Sequence, residues 1–334
     1  GMSRHLKQTK TEYSMPVTFR DIEQAHQRIK PHIHETPVMS SEQVNKLFGC
    51  ELSFKAENLQ KVGAFKARGG CNALYSMDAA DLKRGVITHS SGNHGAALAW
   101  AAALRGTECT VVMPSNAPIV KKAAVAGYGA TVIECLPTME AREGTVAEQM
   151  EARGCLLVHP YDNDQIIAGQ GTAALELLRQ CQTDALPDII MAPVGGGGLL
   201  SGTAIAAKAW ADKTGKTIQV IGAEPAGASD AWQGFKSGVR VAEQTPKTIA
   251  DGLRSTVGVR NFDIMYQQVD DILLASEESI VKAMRLIWMR LKIIVEPSSA
   301  VCLAAIMENP ELFYGKRVAI ILSGGNVDLD ALPW

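Results

Sequence analysis

The sequence predicts an α/β protein built on parallel sheet. Short apolar runs alternate with helical segments from Val86 onward, a βαβ rhythm that requires parallel strands and right-handed crossovers. The runs 188–194 and 318–322 read as strands buried on both faces, as parallel strands are. No internal repeat, low-complexity tract or floppy linker interrupts the 334 residues, a length that suits one large domain or two modest ones.

The elements follow in order. Thr18-Phe-Arg-Asp21 caps a first helix that runs to about residue 29 and stops before Pro31. An extended segment starts at Thr36-Pro37, 51–56 reads as a strand, and 66–76 as a helix. Strand 86–88, helix 93–104, strand 109–113, helix 118–127, strand 130–134, helix 139–152 and strand 156–159 come next. A second set comprises helix 165–178, strand 188–194, helix 198–210, strand 218–223, helices 276–291 and 298–307, and strand 318–322.

Composition excludes several classes. Hydrophobic residues make up 46% and charged residues 20%, an ordinary globular balance. A net charge of −2 gives no basic surface for nucleic acid. The longest apolar stretches, such as 96–104, are far short of a membrane span, and no basic-then-apolar leader is present, so a cytoplasmic protein is expected. Gly1 ahead of Met2 reads as an expression scar, and the polar stretch up to Ser14 as a fraying end. The seven cysteines are scattered without a C-x-x-C pair and read as reduced core residues. His32 and His34 read as helix-end histidines without further metal ligands nearby.

Four loops carry the chemistry. Gln60-Lys-Val-Gly-Ala-Phe-Lys66-Ala-Arg-Gly69 places Lys66, behind Phe65 and between two glycines, where a loop enters a helix. A lysine with a partly buried stem loses proton affinity and becomes an amine nucleophile toward an aldehyde. Gly195-Gly196-Gly197-Gly198 follows an apolar strand and opens a helix at Leu199, so its N–H groups and the helix dipole suit an anion. A Walker loop would need Gly-Lys-Ser/Thr, and a dinucleotide fingerprint from Gly195 would need glycine where Leu200 stands. Ser90-Ser91-Gly92-Asn93-His94 sits at a strand-to-helix turn, where serine or asparagine also serves as an N-cap. Ser323 closes the last buried strand in Ser323-Gly-Gly-Asn326.

A Schiff-base lysine, a phosphate-binding glycine run, an asparagine loop and a C-terminal serine, in this order, make a pyridoxal phosphate (PLP) pocket. Together they resemble the fold-type II PLP enzymes, specifically the serine racemase and serine/threonine dehydratase (ammonia-lyase) family, from about Phe19 to Asp328. The resemblance implies a tryptophan synthase β-like fold with the cofactor in the cleft between two parallel-sheet α/β domains. Residues 1–85 plus 161–334 would form the larger PLP-binding domain, and 86–160 a smaller inserted one.

Residue roles follow from the same resemblance. Lys66 would hold PLP and act on the substrate α-proton. Asn93 would bond the ring hydroxyl, and the loop from Ser90 to His94 would hold the substrate carboxylate. His94 reads equally as a lining residue or one behind the lining. Ser91 would face the substrate opposite Lys66, as in racemizing relatives. Ser323 would bond the pyridine nitrogen; a neutral hydroxyl leaves that nitrogen unprotonated and the ring a weaker electron sink, which favours prompt loss of a β-leaving group. Glu296 resembles a family glutamate near the ring, but also reads as a helix-entry acid before Pro297. Arg142 aligns with a cleft arginine and reads equally as an exposed helix residue. Glu224, the Ala228 carbonyl and Asp230 match a cation site whose hard oxygen donors suit Mg²⁺, Mn²⁺ or Ca²⁺.

Two departures stand out. Glu42 after Ser40-Ser41, and Val62 where a threonine is common, speak against the ATP site of the racemases. With the sequence ending at Trp334, the regulatory domain of biosynthetic threonine dehydratases is not expected. The expected activity is a PLP-dependent ammonia-lyase turning β-hydroxy amino acids such as serine or threonine into 2-oxo acids and ammonia, with a capacity for serine racemization through Ser91. A 3-hydroxyaspartate dehydratase, whose extra carboxylate Arg142 would meet, is the runner-up. A non-catalytic PLP-binding protein is the alternative from another class. Partners are a small-molecule substrate and, by family likeness, a second copy in a homodimer.

Overall fold

The structure, a computed structural model, describes residues 17–334; the stretch up to Ser14 expected to fray lies outside them. Thr18 opens α1 (Phe19–Ile29) through the expected capping box: its hydroxyl accepts from the Asp21 N–H, and the Asp21 carboxylate accepts from the Thr18 N–H. Then come β1 (Val38–Met39), α2 (Glu42–Phe48), β2 (Glu51–Ala56), α3 (Lys66–Tyr75) and α4 (Ala79–Arg84). The alternating middle is β3 (Val86–His89), α5 (Asn93–Arg105), β4 (Cys109–Pro114), α6 (Ile119–Gly127), β5 (Thr131–Cys135), α7 (Met139–Arg153) and β6 (Leu156–Leu157). The remainder is α8 (Asp164–Gln180), β7 (Ile189–Pro193), α9 (Gly198–Thr214), β8 (Gln219–Pro225), α10 (Asp230–Ser237), α11 (Val259–Gln268), β9 (Asp271–Ala275), α12 (Glu277–Leu291), α13 (Val301–Glu308) and β10 (Arg317–Leu322).

Two sheets result. The smaller has the order β5-β4-β3-β6, all parallel. The larger has the order β1-β2-β10-β7-β8-β9 and is parallel except at its edge, where Val38 pairs antiparallel with Lys55. The last strand, β10, lies between β2 and β7, with Leu322 opposite Ala56. Parallel strands all end on one edge, so the loops after β2, β7, β8 and β10 emerge together, as in other open α/β sheets with crevice sites.

Close helix packing sets the depth of α3. A Cβ at Gly169 on α8 would meet the Gly69 Cα of α3 at 2.6 Å, and one at Gly202 on α9 would meet the Gly171 N of α8 at 2.5 Å. Glycine at these crossings is what lets the three backbones touch. Behind the first turn of α3, Arg68 is fully buried and forks between Glu57 and Glu176, while Lys55 Nζ reaches Glu176 at 2.7 Å. Burial alone would lower the Arg68 pKa, but the two carboxylates outweigh it and raise it.

Expected strand 156–159 stops at Leu157. His159 turns its Nδ1 to accept from the Tyr161 and Asp162 N–H groups, at 3.2 and 2.9 Å, and this bends the chain out of the ladder. Expected helix 298–307 starts as a 3₁₀ turn at Pro297–Ala300 and becomes α-helical at Val301. Sequence reasoning assigned no element between 224 and 275, where α10, α11 and β9 lie.

Candidate active site

Lys66 is the first residue of α3 and lines a cavity with Ser90, Ser91, Asn93, the four glycines and Ser323. Bordering that cavity leaves it only half-buried by area, yet protein surrounds the amine. This desolvation lowers its pKa to about 8. Its Nζ donates to the Pro160 carbonyl at 3.3 Å and lies 5.2 Å from the Phe65 ring centroid. The turn before it is tight: Val62 and Gly63 both have left-handed φ, 57° and 71°. A β-branched residue there is strained. Asn326 Nδ2 and the Gly325 N–H hold that turn, donating to the Val62 and Gly63 carbonyls at 2.9 Å each.

The glycine run does two jobs. Gly198 opens the 17-residue helix α9 and Gly197 has φ 95°. Free N–H groups of the first turn therefore face the cavity beside Leu199. The run is also a packing surface. A Cβ at Gly195 would meet the Gly252 carbonyl at 2.7 Å, one at Gly197 the Met265 Sδ at 2.9 Å, and one at Gly196 would overlap the Tyr161 ring. Sequence reasoning missed Tyr161. It is buried, forms part of the cavity wall, and burial pushes its hydroxyl up to about 12.

The loop after β3 is braced from within. Ser90 Oγ accepts from the Gly92 and Gly95 N–H groups at 3.0 and 2.9 Å, so this hydroxyl builds the turn. The N–H groups of Asn93 and His94 begin α5 and have no intrahelical acceptor, the arrangement that suits a carboxylate. Asn93 Nδ2 donates to Glu296 Oε1 at 2.7 Å, and Asn326 Nδ2 donates to Asn93 Oδ1 at 3.0 Å. Glu296 thus lines the cavity and also precedes the Pro297 turn. Lys121 of α6 donates to Glu296 Oε2 at 2.6 Å and pairs with Asp251 at 2.7 Å. Burial would lower its pKa, but the two carboxylates reverse the sign and raise it. Lys121 has no signal in the sequence, and Asn326 closes the Ser323-Gly-Gly-Asn326 motif without a sign of its partners.

Ser323 Oγ lies 3.1 Å from Ser299 Oγ, which also accepts from the Gly324 N–H at 2.7 Å. His94 is buried on the cavity wall, its Nε2 3.3 Å from the Val158 carbonyl. Burial depresses its pKa well below the usual histidine value, and that of His89 to about 3 and His159 to about 4, so all three imidazoles stay neutral near pH 7. Arg142, near the start of α7, is half-buried and lines the cavity, which decides against an exposed helix residue.

Glu224, Ala228 and Asp230 lie on one buried turn between β8 and α10, apart from this cavity. The Trp232 N–H donates to Glu224 at 2.6 Å and the Val257 N–H to Asp230 at 2.8 Å. Burial raises the Glu224 pKa to about 9, with Asp230 adding to the rise, and burial raises Asp230 to about 6. Two buried carboxyls whose charge burial disfavours are a donor set that a hard cation fits.

The model of the family described as pyridoxal-phosphate dependent enzyme matches residues 29–324. The chain belongs to that family. It is 50% identical to a serine racemase of Dictyostelium discoideum over 95% of this chain and 97% of the relative. It is 49% identical to a beta-hydroxyaspartate dehydratase of Paracoccus denitrificans over 95% and 98%. A crystal structure of Dictyostelium discoideum serine racemase superposes with a TM-score of 0.86 at 51% identity, covering 94% of this chain and 99% of that one. Family membership makes the protein a PLP enzyme of fold type II. The residues fit that cofactor: an amine of lowered pKa, a glycine run that opens a helix, and a serine hydroxyl surround one cavity. Among the described residues no helix is long and apolar enough to cross a membrane.

Proposed function

We propose that the protein is an ammonia-lyase acting on β-hydroxy amino acids such as serine and threonine, with serine racemization as a second activity. The observation that carries this reading is the single cavity shared by Lys66, Ser91, the α9 N-terminus and Ser323. PLP bound there supplies an electron sink for the α-carbon when its proton leaves. Phe65 and Lys66 would flank the cofactor, Gly195, Gly196, Gly197, Gly198 and Leu199 would hold its phosphate, and Asn93, Glu296 and Ser323 would fix its ring. The loop from Ser90 to His94 receives the substrate carboxylate. Lys66 Nζ takes the α-proton, the β-hydroxyl departs, and hydrolysis yields a 2-oxo acid and ammonia. Ser91 returns a proton to the opposite face in racemization.

The reading includes a cation held by Glu224, Ala228 and Asp230, supported by the raised pKa of both carboxyls. It also takes residues 86–160 as an inserted domain, supported by the separate four-stranded sheet, and places the protein in the cytoplasm as a homodimer on family likeness. A 3-hydroxyaspartate dehydratase is the second reading, favoured by Arg142 in the cavity wall. The test is a panel of L- and D-serine, L-threonine and 3-hydroxyaspartate with the holoenzyme, following 2-oxo acid and chiral products. Formation of 2-oxo acid from serine or threonine supports the first reading, and from hydroxyaspartate alone the second. No 2-oxo acid from any of them overturns both, and the further absence of chiral interconversion points to a non-catalytic PLP-binding protein.

A further inference from the structure

Outside the inner cavity lies a cleft of about 730 Å³ that shares Ser91, Arg142 and Ser255 with it. Its walls come from the two sheets' connecting segments: 114–118 and 137–142 on one side, 242–246 and 251–256 on the other. Arg142 stands where cavity and cleft join. Arg254, from the segment after the 3₁₀ turn Asp251–Leu253, lines the cleft beside it. The two guanidinium charges are near enough that Arg254 lowers the Arg142 pKa, in addition to the larger effect of burial.

Among the described residues, neither guanidinium has a carboxylate within ion-pair distance. The cleft does hold acids, but they are otherwise placed. Asp251 pairs with Lys121 at 2.7 Å, and Glu140 and Glu243 are exposed. The imidazole of His89, near Arg142, is neutral and brings no opposite charge. Two half-buried like charges side by side repel each other unless an anion sits between them. Two other withdrawn cations, Arg68 and Lys121, each pair with two carboxylates. Arg142 and Arg254 lack such partners and line the cleft together with Ser91.

We infer that Arg254 is a specificity-determining residue that, with Arg142, receives the distal carboxylate of a dicarboxylic β-hydroxy amino acid. This rests on the lyase reading and selects within it. The α-carboxylate would occupy the start of α5, leaving the second carboxylate to bridge across Ser91 to the two guanidiniums. Planar guanidiniums suit a carboxylate by paired N–H donors, which an ammonium or hydroxyl does not offer. Serine or threonine leaves both cations unpaired, so the difference in binding favours the diacid. Arg254 is well placed to act in this way because its backbone is held: Gln244 Nε2 donates to the Arg254 carbonyl at 3.2 Å.

The test compares holoenzyme with Arg254→Gln and Arg254→Lys. Two quantities are measured: the ratio of kcat/KM for 3-hydroxyaspartate to that for serine, and succinate binding by calorimetry. Arg254→Gln is expected to lower the ratio about tenfold, mainly through KM, and to weaken succinate binding by a similar factor, as loss of one charge-assisted contact does. Arg254→Lys is expected to recover part of both. An unchanged ratio with unchanged succinate affinity overturns the inference while leaving the lyase reading in place. If the wild type deaminates no member of the panel, the lyase reading falls and succinate decides alone: weaker binding by the Gln variant supports a diacid receptor, equal binding overturns it.

Discussion

The Phe65 N–H donates to the Ser323 carbonyl at 2.9 Å. This bond, with the antiparallel bridge between Ala64 and Gly324, registers the lysine loop against the end of β10. The Lys66 amine and the Ser323 hydroxyl, proposed to meet the cofactor aldehyde and ring nitrogen, are therefore positioned by one short stretch of backbone. Strand order makes this contact: β10 pairs directly with β2, whose continuation is the lysine loop.

Covalent attachment should map to one residue. Borohydride reduction of the holoenzyme, followed by peptide mass spectrometry, should place the cofactor on Lys66. Lys66→Ala should lose both the adduct and the yellow absorbance. An adduct on any other lysine would remove Lys66 from its assigned role.

Cofactor capture should depend on pH through the Lys66 amine. Only the neutral amine attacks an aldehyde, and burial lowers its pKa from 10.5 to about 8. The rate at which PLP reloads the cofactor-free protein should rise through about pH 8 and level off above it. The stability linkage has a definite sign. The folded pKa is depressed, so the unfolded chain binds more protons between about 8 and 10.5, and the cofactor-free protein gains stability as pH rises across that window. Reloading rates that first rise near pH 10 would show the amine to be solvated.

Chelation should expose the role of Glu224 and Asp230. A cation bound to the folded state stabilises it by mass action, so EDTA should lower the melting temperature and Mg²⁺, Mn²⁺ or Ca²⁺ should restore it. Glu224→Gln should abolish the restoration. An unchanged transition after EDTA, with no metal by elemental analysis, would sink the cation site.

Ser91→Ala should separate the two chemistries. Elimination needs a base on one face, whereas racemization needs a proton donor or acceptor on each. The variant should stop interconverting L- and D-serine while continuing to dehydrate one enantiomer, because the loop's shape depends on Ser90 Oγ bonding Gly92 and Gly95. Retained racemization would clear Ser91 of that role.

Lys121→Ala should be strongly destabilising although Lys121 lies outside every sequence motif. Its removal leaves buried Glu296 and part-buried Asp251 without their shared cation, and breaking a buried pair costs about 3–5 kcal/mol. The urea midpoint should fall with little change in slope. A shift within about 0.5 kcal/mol, the range of ordinary surface substitutions, would show the ion pair to be dispensable.

Local chemistry made much of this legible in the sequence. Periodicity of apolar residues and the capping signature at Thr18 and Asp21 determine α1, the βαβ alternation and the buried strands, because each depends on neighbours within a few positions. The glycine run, the lysine loop and the Ser90–His94 turn are likewise readable, since only certain residues tolerate those turns or present free N–H groups. Tertiary structure alone decided which loops meet. Insertion of β10 between β2 and β7 brings Ser323 to Phe65, and the bend at His159 swings Tyr161 against Gly196. Lys121, Ser299 and Arg254 are ordinary residues by local pattern. Their roles come from partners far away in the chain: charges and hydrogen-bonding groups act through space, and a sequence lists only what is adjacent along the backbone.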